Sequence, residues 1–240
     1  MLDNLGASII LLLAPPILYK LRILQRRQLP PKGPNCGFHY NQSDAPPQFA
    51  HLFVSPYKRV YLREWEDSGY RFEKGWAGED LIHSSKSQAV RVEAYFWNPN
   101  PKTNSPVLTG IVHFGPNAES HRGLCHGGSM TSLFDDVAGH VVFIEGKKSP
   151  WDGATVRVEV DLLKPVRVGQ VLEVAGWVWK RERKKVFVRG ELRGAGGEVY
   201  AKMEGLSIQP VKLGGCECDS VSTRTWVETD EVIYDSGWLE

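Results

Sequence analysis

The sequence predicts an α+β fold in which one antiparallel sheet wraps around a single long helix. The order of the patterns is the first reason, because two strand-like segments precede one long helical segment and four strand-like segments follow it. The helical segment itself is the second, since it is so apolar that it needs cover on more than one side. The third is the pair of short turns "KRERK" and "GAGG", which are typical of antiparallel neighbours.

Six segments have the composition and spacing of strands. In "QAVRVEAYFW" (88–97) the apolar residues partly alternate, and in "VLTGIVHFG" (107–115) β-branched and aromatic residues predominate. The segment "ATVRVEVDLL" (154–163) alternates cleanly, which places Val156, Val158, Val160 and Leu162 on one face. The other three segments are "VLEVAGWVWK" (171–180), "KVFVRGELRG" (185–194) and "EVYAKMEGLSIQP" (198–210).

An apolar stripe predicts the helix, over about residues 128–145. Its members recur at spacings of three and four, which is the period of one helix face. They are Met130, Leu133, Phe134, Val137, Val141 and Val142.

The chain divides into four regions. Residues 1–27 hold an apolar run, and residues 28–86 are interpreted as a linker with short helices, broken at Pro56, because proline and glycine are frequent up to residue 47. Residues 87–210 contain the predicted strands and helix. Residues 211–240 carry seven acidic and two basic residues and are interpreted as an exposed or partner-bound extension.

Composition and charge exclude several function classes. The formal net charge of +1 argues against a nucleic-acid-binding protein, which would be strongly basic. The four cysteines are too few and too scattered for a disulfide framework, and they favour a reducing compartment. Cys216 and Cys218 form a lone Cys-x-Cys pair without the further ligands of a zinc site.

The apolar run "LGASIILLLAPPILY" (5–19) is followed by Lys20, Arg22, Arg26 and Arg27. As a helix it is about 22 Å long, and extension to residue 24 with snorkelling cations brings it near the roughly 30 Å of a bilayer core.

Three interpretations compete: a signal peptide, a mitochondrial presequence, and an uncleaved membrane anchor over residues 5–24. The anchor is favoured, since the basic residues follow the run instead of preceding it. The rest of the chain would then face the cytoplasm or the mitochondrial matrix. A helix docked on a partner subunit is the alternative.

The stretch "GLCHGGSMTSLFDDVAGH" (123–140) carries the candidate chemistry. Gly127 and Gly128 allow close backbone approach where the helix begins, and its first N–H groups can bind an anion or a developing oxyanion. Asp135 lies nine positions after His126, too far into the helix to be a cap. A carboxylate on a largely buried helix should face a cleft or an interface. The alternative interpretation is that His126-Gly-Gly is only the turn that begins the helix and that Asp135 is a solvent-exposed residue without a chemical role.

This stretch resembles the signature of the hotdog-fold acyl-CoA thioesterases, in the branch of the phenylacetate-pathway enzymes and the thioesterase superfamily members. Their pattern is G-[FL]-x-H-G-G, then an acidic residue nine positions after the histidine and a glycine four further on. The matching positions are Gly123, Leu124, His126, Gly127, Gly128, Asp135 and Gly139. The next strand also resembles the family's, through Thr155, Lys164 and Pro165. The resemblance covers about residues 87–210.

The resemblance implies a role for each matching residue. Asp135 would be the general base or nucleophile, while the amide of Gly128, with His126 and Gly127 nearby, would polarise the thioester oxygen. Thr155, from the partner subunit of a homodimer or larger hotdog oligomer, would orient water or Asp135. Asp161 would contact substrate, and Lys184 and Lys185 would approach the phosphates of coenzyme A unless they only form a solvated turn. No metal or other cofactor is needed, because a carboxylate and an oxyanion hole suffice for hydrolysis.

Three further side chains near this pattern need an interpretation. Asp136 stands where the family usually has a small residue, and since neighbours on a helix point about 100° apart, only one of the two aspartates can face the cleft. The sequence does not decide which one. His140 is interpreted as an interface or surface histidine and His113 as a packed histidine in a strand.

Two functions of different classes follow. The first is an acyl-CoA thioesterase that hydrolyses fatty acyl-CoA to a free fatty acid and coenzyme A. The second is a non-catalytic hotdog-fold structural or assembly subunit of a membrane protein complex, for which the apolar run, the linker and the acidic tail are suited. Asp135 and Thr155 favour the enzyme. A hotdog dehydratase is less consistent, because its catalytic histidine and acid motif is missing.

If residues 5–24 span a membrane, the full chain will stay with membranes during alkaline carbonate extraction, because a spanning helix is held by its apolar surface. A chain that begins near Pro46 will be soluble. Release of the full chain by carbonate would instead favour peripheral docking.

Overall fold

The computed structural model describes residues 45–62, 68–73, 75–84, 86–103, 105–146, 153–209 and 231–234. In these ranges the α-helices are α1 (Ser68–Glu73) and α2 (Gly127–Gly146), and Pro47–Phe53 and Pro116–Ala118 form 3₁₀ helices. The strands are β1 (Lys58–Leu62), β2 (Val90–Trp97), β3 (Leu108–Phe114), β4 (Glu119–His121), β5 (Leu124–Cys125), β6 (Ala154–Leu162), β7 (Val171–Glu182), β8 (Lys185–Arg193), β9 (Val199–Ile208) and β10 (Glu231–Tyr234).

None of the helices in this part of the chain is long and apolar enough to cross a bilayer. The predicted anchor at residues 5–24 lies outside the described residues, as do the first part of the predicted linker and most of the acidic tail.

Eight strands form one sheet in the order β10-β1-β2-β3-β7-β8-β9-β6, and β4 pairs with β5 separately. Neighbouring strands of the large sheet run antiparallel, apart from the parallel pair β1 and β10. All six predicted strands and the predicted helix are present, with ends shifted by at most two residues. The predicted α+β fold, one antiparallel sheet around one long helix, is confirmed.

Helix α2 lies in the core of the domain. Every residue of the predicted apolar stripe is buried, and so are Ala138, His140, Phe143 and Ile144 on its other sides. A glycine in β7 allows the close approach of helix and sheet, because a Cβ on Gly176 would lie 2.7 Å from Val137 Cγ1 and 2.8 Å from Val141 Cγ2. The helix thus has cover on several sides, as its composition predicts.

Two predicted regions differ from the structure. Residues 58–62, expected to be helical, form β1, because Lys58, Arg59 and Val60 pair with residues of β2 and this long-range pairing overrides the local spacing. The acidic tail, expected to be an extension, contributes β10 to the sheet through parallel pairing with β1.

Among the described residues, strand β6 lies at one end of the sheet and is paired on one side only, with β9. A register shift between Thr155 and Arg157 interrupts the clean alternation that the sequence suggests. Val158 and Val160 pack against the core, but Val156 is 56% exposed and Leu162 is 53% exposed. The apolar face predicted for this strand is therefore only partly covered within the protomer.

The face of the sheet opposite α2 is covered by the 3₁₀ helix Pro47–Phe53. Its Phe49 and Leu52 are buried and form a second apolar cluster with Ala94, Phe96 and Ile111. Next to this cluster, the Nε2 atom of His51 lies 3.3 Å from Oε2 of Glu173 in β7. A segment that the sequence assigns to the linker is thus part of the folded domain.

We expect Leu52→Ala to lower the free energy of unfolding by about 2–5 kcal/mol, the usual cost of truncating a buried leucine. Denaturant titration of the chain measures this loss. Val54→Ala is the matched control, since Val54 is 49% exposed and its truncation should have little effect. Equal small losses for both variants would show that this segment does not stabilise the domain.

Candidate active site

The His126-Gly-Gly turn connects β5 to α2. The backbone N–H of His126 donates to the carbonyl of Ala118 at 2.6 Å, which ties the turn to the preceding 3₁₀ helix. Both glycines are close to other side chains: a Cβ on Gly127 would lie 2.6 Å from Leu162 Cδ1, and a Cβ on Gly128 would lie 2.9 Å from His126 Nδ1. A side chain at either position would displace Leu162 or His126, so the two glycines leave room for both side chains.

The geometry of this turn fixes the tautomer of His126. The amide of Gly128 donates a hydrogen bond of 2.8 Å to Nδ1 of His126. Since an amide N–H can only donate, Nδ1 must carry the lone pair, and the proton of the neutral ring is on Nε2. The exposed imidazole therefore presents Nε2–H as a hydrogen-bond donor, while the Gly128 amide already has an acceptor.

The structure separates the two adjacent aspartates of α2. Asp135 is exposed, and within the described residues no hydrogen bond or ion pair joins it to another side chain. Asp136 points inward to β2, where it accepts a hydrogen bond of 2.7 Å from the hydroxyl of Tyr95. The question that the sequence left open is thereby answered, because only Asp135 is available to a substrate.

Asp136 belongs to a buried polar cluster behind the helix. Its Oδ1 lies 3.0 Å from Nε2 of His83, and its Oδ2 lies 3.3 Å from Nδ1 of His140. Burial alone would raise the pKa of Asp136, but the positive charges of His140 and His83 and their hydrogen bonds bring it well below the usual range. Burial and the charge of Asp136 raise the pKa of Tyr95 well above 10, so its hydroxyl stays a donor.

His140 was interpreted from sequence as a surface or interface histidine, and that prediction is wrong. The residue is 1% exposed because it lies one helical turn after Asp136 on the inward side of α2, where its ring also contacts Phe143. His113 is half-buried in β3, and burial lowers its pKa. The spacing of Asp136 and His140 could have indicated their pairing, but nothing in the sequence links His83 or Tyr95 to them.

Strand β6 runs antiparallel to α2, which fixes the places of Thr155 and Asp161. Leu162 lies at the beginning of the helix beside Gly127, whereas a Cβ on Gly153 would lie 3.6 Å from Val142 Cγ1 near its end. Asp161 is thus close to the His126 end and exposed. Thr155 lies at the opposite end of the strand, about 23 Å from Leu162 at 3.3 Å per residue. One protomer does not bring Thr155 to the His126 turn.

Lys184 and Lys185 are exposed at the hairpin between β7 and β8. This hairpin lies near the end of α2, because Nη2 of Arg181 is 3.7 Å from Oε2 of Glu145. Since α2 has 20 residues and is about 30 Å long, the two lysines are far from the His126 turn of their own protomer. Their predicted contact with coenzyme A therefore requires a second protomer.

One family model matches part of the chain. Residues 122–201 match the family model described as the thioesterase superfamily, and this range contains every candidate site residue. The comparison with curated proteins gives no match.

Solved structures of thioesterases resemble the chain at low identity. The thioesterase superfamily protein RHA08564 is 20% identical with a TM-score of 0.44, and the match covers 54% of this chain and 60% of that one. The E. coli PaaI protein is 14% identical with a TM-score of 0.40, over 53% of this chain and 83% of that one. A hypothetical thioesterase from Streptococcus pneumoniae with coenzyme A is 18% identical with a TM-score of 0.39, over 50% of this chain and 85% of that one.

The family match begins just before the His-Gly-Gly turn and continues into β9, so it includes α2 and the strands β6 to β8 of the sheet around it. Residues 122–201 of this chain are thus similar to the thioesterase superfamily.

Proposed function

We propose that the protein is an acyl-CoA thioesterase that hydrolyses fatty acyl-CoA to a free fatty acid and coenzyme A. The observation that carries this proposal is the exposed carboxylate of Asp135 on a helix that begins with His126-Gly-Gly, inside a segment that matches the thioesterase superfamily. The coenzyme A in the structure of the pneumococcal thioesterase supports the substrate class.

Asp135 is the base of the proposed reaction. Its carboxylate takes a proton from water, whose oxygen forms a bond to the thioester carbon, and the C–S bond then breaks. The coenzyme A thiolate leaves with the bonding electron pair and takes up a proton, so that the products are a carboxylic acid and a thiol. Direct attack by Asp135 on the carbonyl, followed by hydrolysis of the anhydride, is the alternative and uses the same side chain.

The developing negative charge on the thioester oxygen needs a donor, and His126 provides one. Its Nε2–H is available in the tautomer that the Gly128 hydrogen bond selects. The Gly128 amide is the alternative donor to the thioester oxygen. It becomes available when the imidazole turns away from the amide. Both donors lie at the beginning of α2, where the helix dipole favours negative charge.

A single helix cannot supply both the donor and the base. Asp135 is seven residues after Gly128, which corresponds to about 10 Å along the helix axis, whereas groups that act on one carbonyl must each lie within about 3 Å of its reacting atoms. We therefore propose that each site combines His126 and Gly128 of one protomer with Asp135 of its partner.

A homodimer through β6 fits this requirement. Within the described part of the chain, one edge of this strand has no partner strand, and Val156 and Leu162 are exposed. Such edges usually need cover. An antiparallel pairing of two β6 strands around a two-fold axis reverses the second protomer. This pairing brings Thr155 and the hairpin residues Lys184 and Lys185 of the partner subunit toward His126 of the first protomer. In this arrangement the lysines can reach the phosphates of coenzyme A, and Asp161 lies beside the same site.

The proposal includes attachment to a membrane through residues 5–24, with the hotdog domain on the cytoplasmic or matrix side. The length of the apolar run and the cations that follow it support this placement. A site held near lipid suits medium or long acyl chains.

Asp135→Asn should lower the rate of hydrolysis by about a hundredfold to ten-thousandfold, because it removes the base and keeps the size of the side chain. The assay is release of free coenzyme A thiol from acyl-CoAs of increasing chain length. Glu204→Gln removes a carboxylate on β9 that pairs with Arg189 and should leave the rate unchanged. If the folded wild-type dimer hydrolyses none of the substrates, or Asp135→Asn matches wild type, the enzyme proposal fails and the structural-subunit interpretation takes its place.

Mixed dimers test the shared site. Asp135→Asn and His126→Ala homodimers should both be impaired, but a heterodimer of the two has one site with both groups intact and one with neither. Unfolding and refolding an equal mixture should therefore restore about a quarter of wild-type activity, because half of the dimers are mixed and each has one good site. No recovery, with heterodimers confirmed by mass spectrometry, would show that both groups act from one protomer.

A further inference from the structure

Outside the proposed active site, three side chains that commonly bind metals converge behind α2. They are His83, Asp136 and His140, called the His-Asp-His cluster below, and they are the only such group of three or more in the described part of the chain with its donor atoms within 4.8 Å of one another. We propose that the His-Asp-His cluster is a structural binding site for a zinc ion. This inference does not depend on the proposed thioesterase activity.

The distances between the donor atoms are close to those of a tetrahedral site. Zinc binds imidazole nitrogen and carboxylate oxygen at about 2.0–2.2 Å, which places neighbouring donors of a tetrahedron about 3.4 Å apart. His83 Nε2 is 3.0 Å from Asp136 Oδ1, and His140 Nδ1 is 3.3 Å from Asp136 Oδ2. Nδ1 of His140 also lies 3.0 Å from the main-chain carbonyl oxygen of Asp136. Binding of all three side chains to one ion would therefore require this contact to be given up, and water would be the fourth ligand.

A fourth side chain orients the carboxylate from outside the cluster. The hydroxyl of Tyr95 in β2 donates to Oδ2 of Asp136 at 2.7 Å. Hydrogen bonds of this kind to a ligating carboxylate are typical of metal sites, where they hold the oxygen in place. Tyr95 is 2% exposed, so this bond is shielded from water.

The elements that carry the ligands are fixed before any ion binds. Asp136 and His140 are one turn apart on the buried side of α2 and therefore face the same direction. The loop that carries His83 is held by Asp80, whose Oδ1 accepts hydrogen bonds from the amides of Ile82 and His83, both 3.0 Å long. The amide of Val92 in β2 also donates to the carbonyl of Ile82 at 2.9 Å.

A zinc ion would replace the imidazole protons that pair with Asp136, because imidazoles bind a metal only in the neutral form. The side chains of His83 and His140 are 0% and 1% exposed, and that of Asp136 is 13% exposed. A buried carboxylate is stable only when it is paired or coordinates a metal, and two imidazoles with one carboxylate are a donor set that zinc accepts. Asp136 is the most exposed of the three, so an ion would enter past its carboxylate. The competing explanation is that the three side chains are joined by hydrogen bonds without any metal ion.

Metal titration distinguishes the two explanations. The full chain, without a histidine tag and after treatment with a chelator, is titrated with Zn²⁺ by calorimetry and with Co²⁺ by visible absorption. We expect one equivalent to bind, a rise in the melting temperature with Zn²⁺, and the absorption of four-coordinate Co²⁺. All titrations use the full chain with the two substitutions Cys216→Ser and Cys218→Ser, called the background, because the cysteines of the tail could otherwise bind zinc themselves.

Variants in this background locate the ion. His83→Gln and His140→Asn keep a polar side chain and should each weaken binding by at least about a hundredfold, and Tyr95→Phe by about ten- to a hundredfold. His113→Gln and Asp135→Asn, a histidine and a carboxylate outside the cluster, should bind as the background does. Circular dichroism checks that each variant is folded. The proposal would be overturned if the background variant bound no zinc, or if His83→Gln and His140→Asn bound zinc as tightly as the background does. The cluster would then be held together by hydrogen bonds without a metal ion.

Discussion

The structure depends on the burial of α2 inside the sheet. A helix with only one apolar face could lie on a flat sheet, but this one buries side chains on several faces, so the strands must curve around it. The closeness of the two elements is set at Gly176, where any side chain would collide with the helix. The His126 turn lies at the first residue of this buried helix, so its position in the domain follows from the packing.

Burial of the helix also assigns the chemistry of its polar residues. The angle of about 100° between neighbouring positions sends Asp135 and Asp136 into different surroundings. Asp135 is exposed to solvent, and Asp136 is held by Tyr95, His83 and His140. Two identical side chains at adjacent positions thus have different surroundings, because tertiary packing decides what each one contacts.

Most of the fold could be predicted because its signals are local. The spacing of Met130, Leu133 and Phe134 marks the buried face of the helix, and the strand patterns end where Gly, Pro and charged turns occur. Residues 58–62 and 231–234 were missed since their strand structure arises from pairing with distant partners. The same reason explains the candidate site. The His126 turn and Asp135 stand in one continuous stretch, whereas the contact of His83 with Asp136 joins residues 53 positions apart.

The 3₁₀ helix Pro47–Phe53 has a consequence for the solubility of shortened chains. Phe49 and Leu52 cover Ala94, Phe96 and Ile111, which would otherwise form an apolar patch on the outer face of the sheet. Uncovered patches of this kind promote aggregation of otherwise folded proteins. We therefore expect a fragment that starts between residues 54 and 58 to keep α2 and the strands of the large sheet but to expose this patch and aggregate.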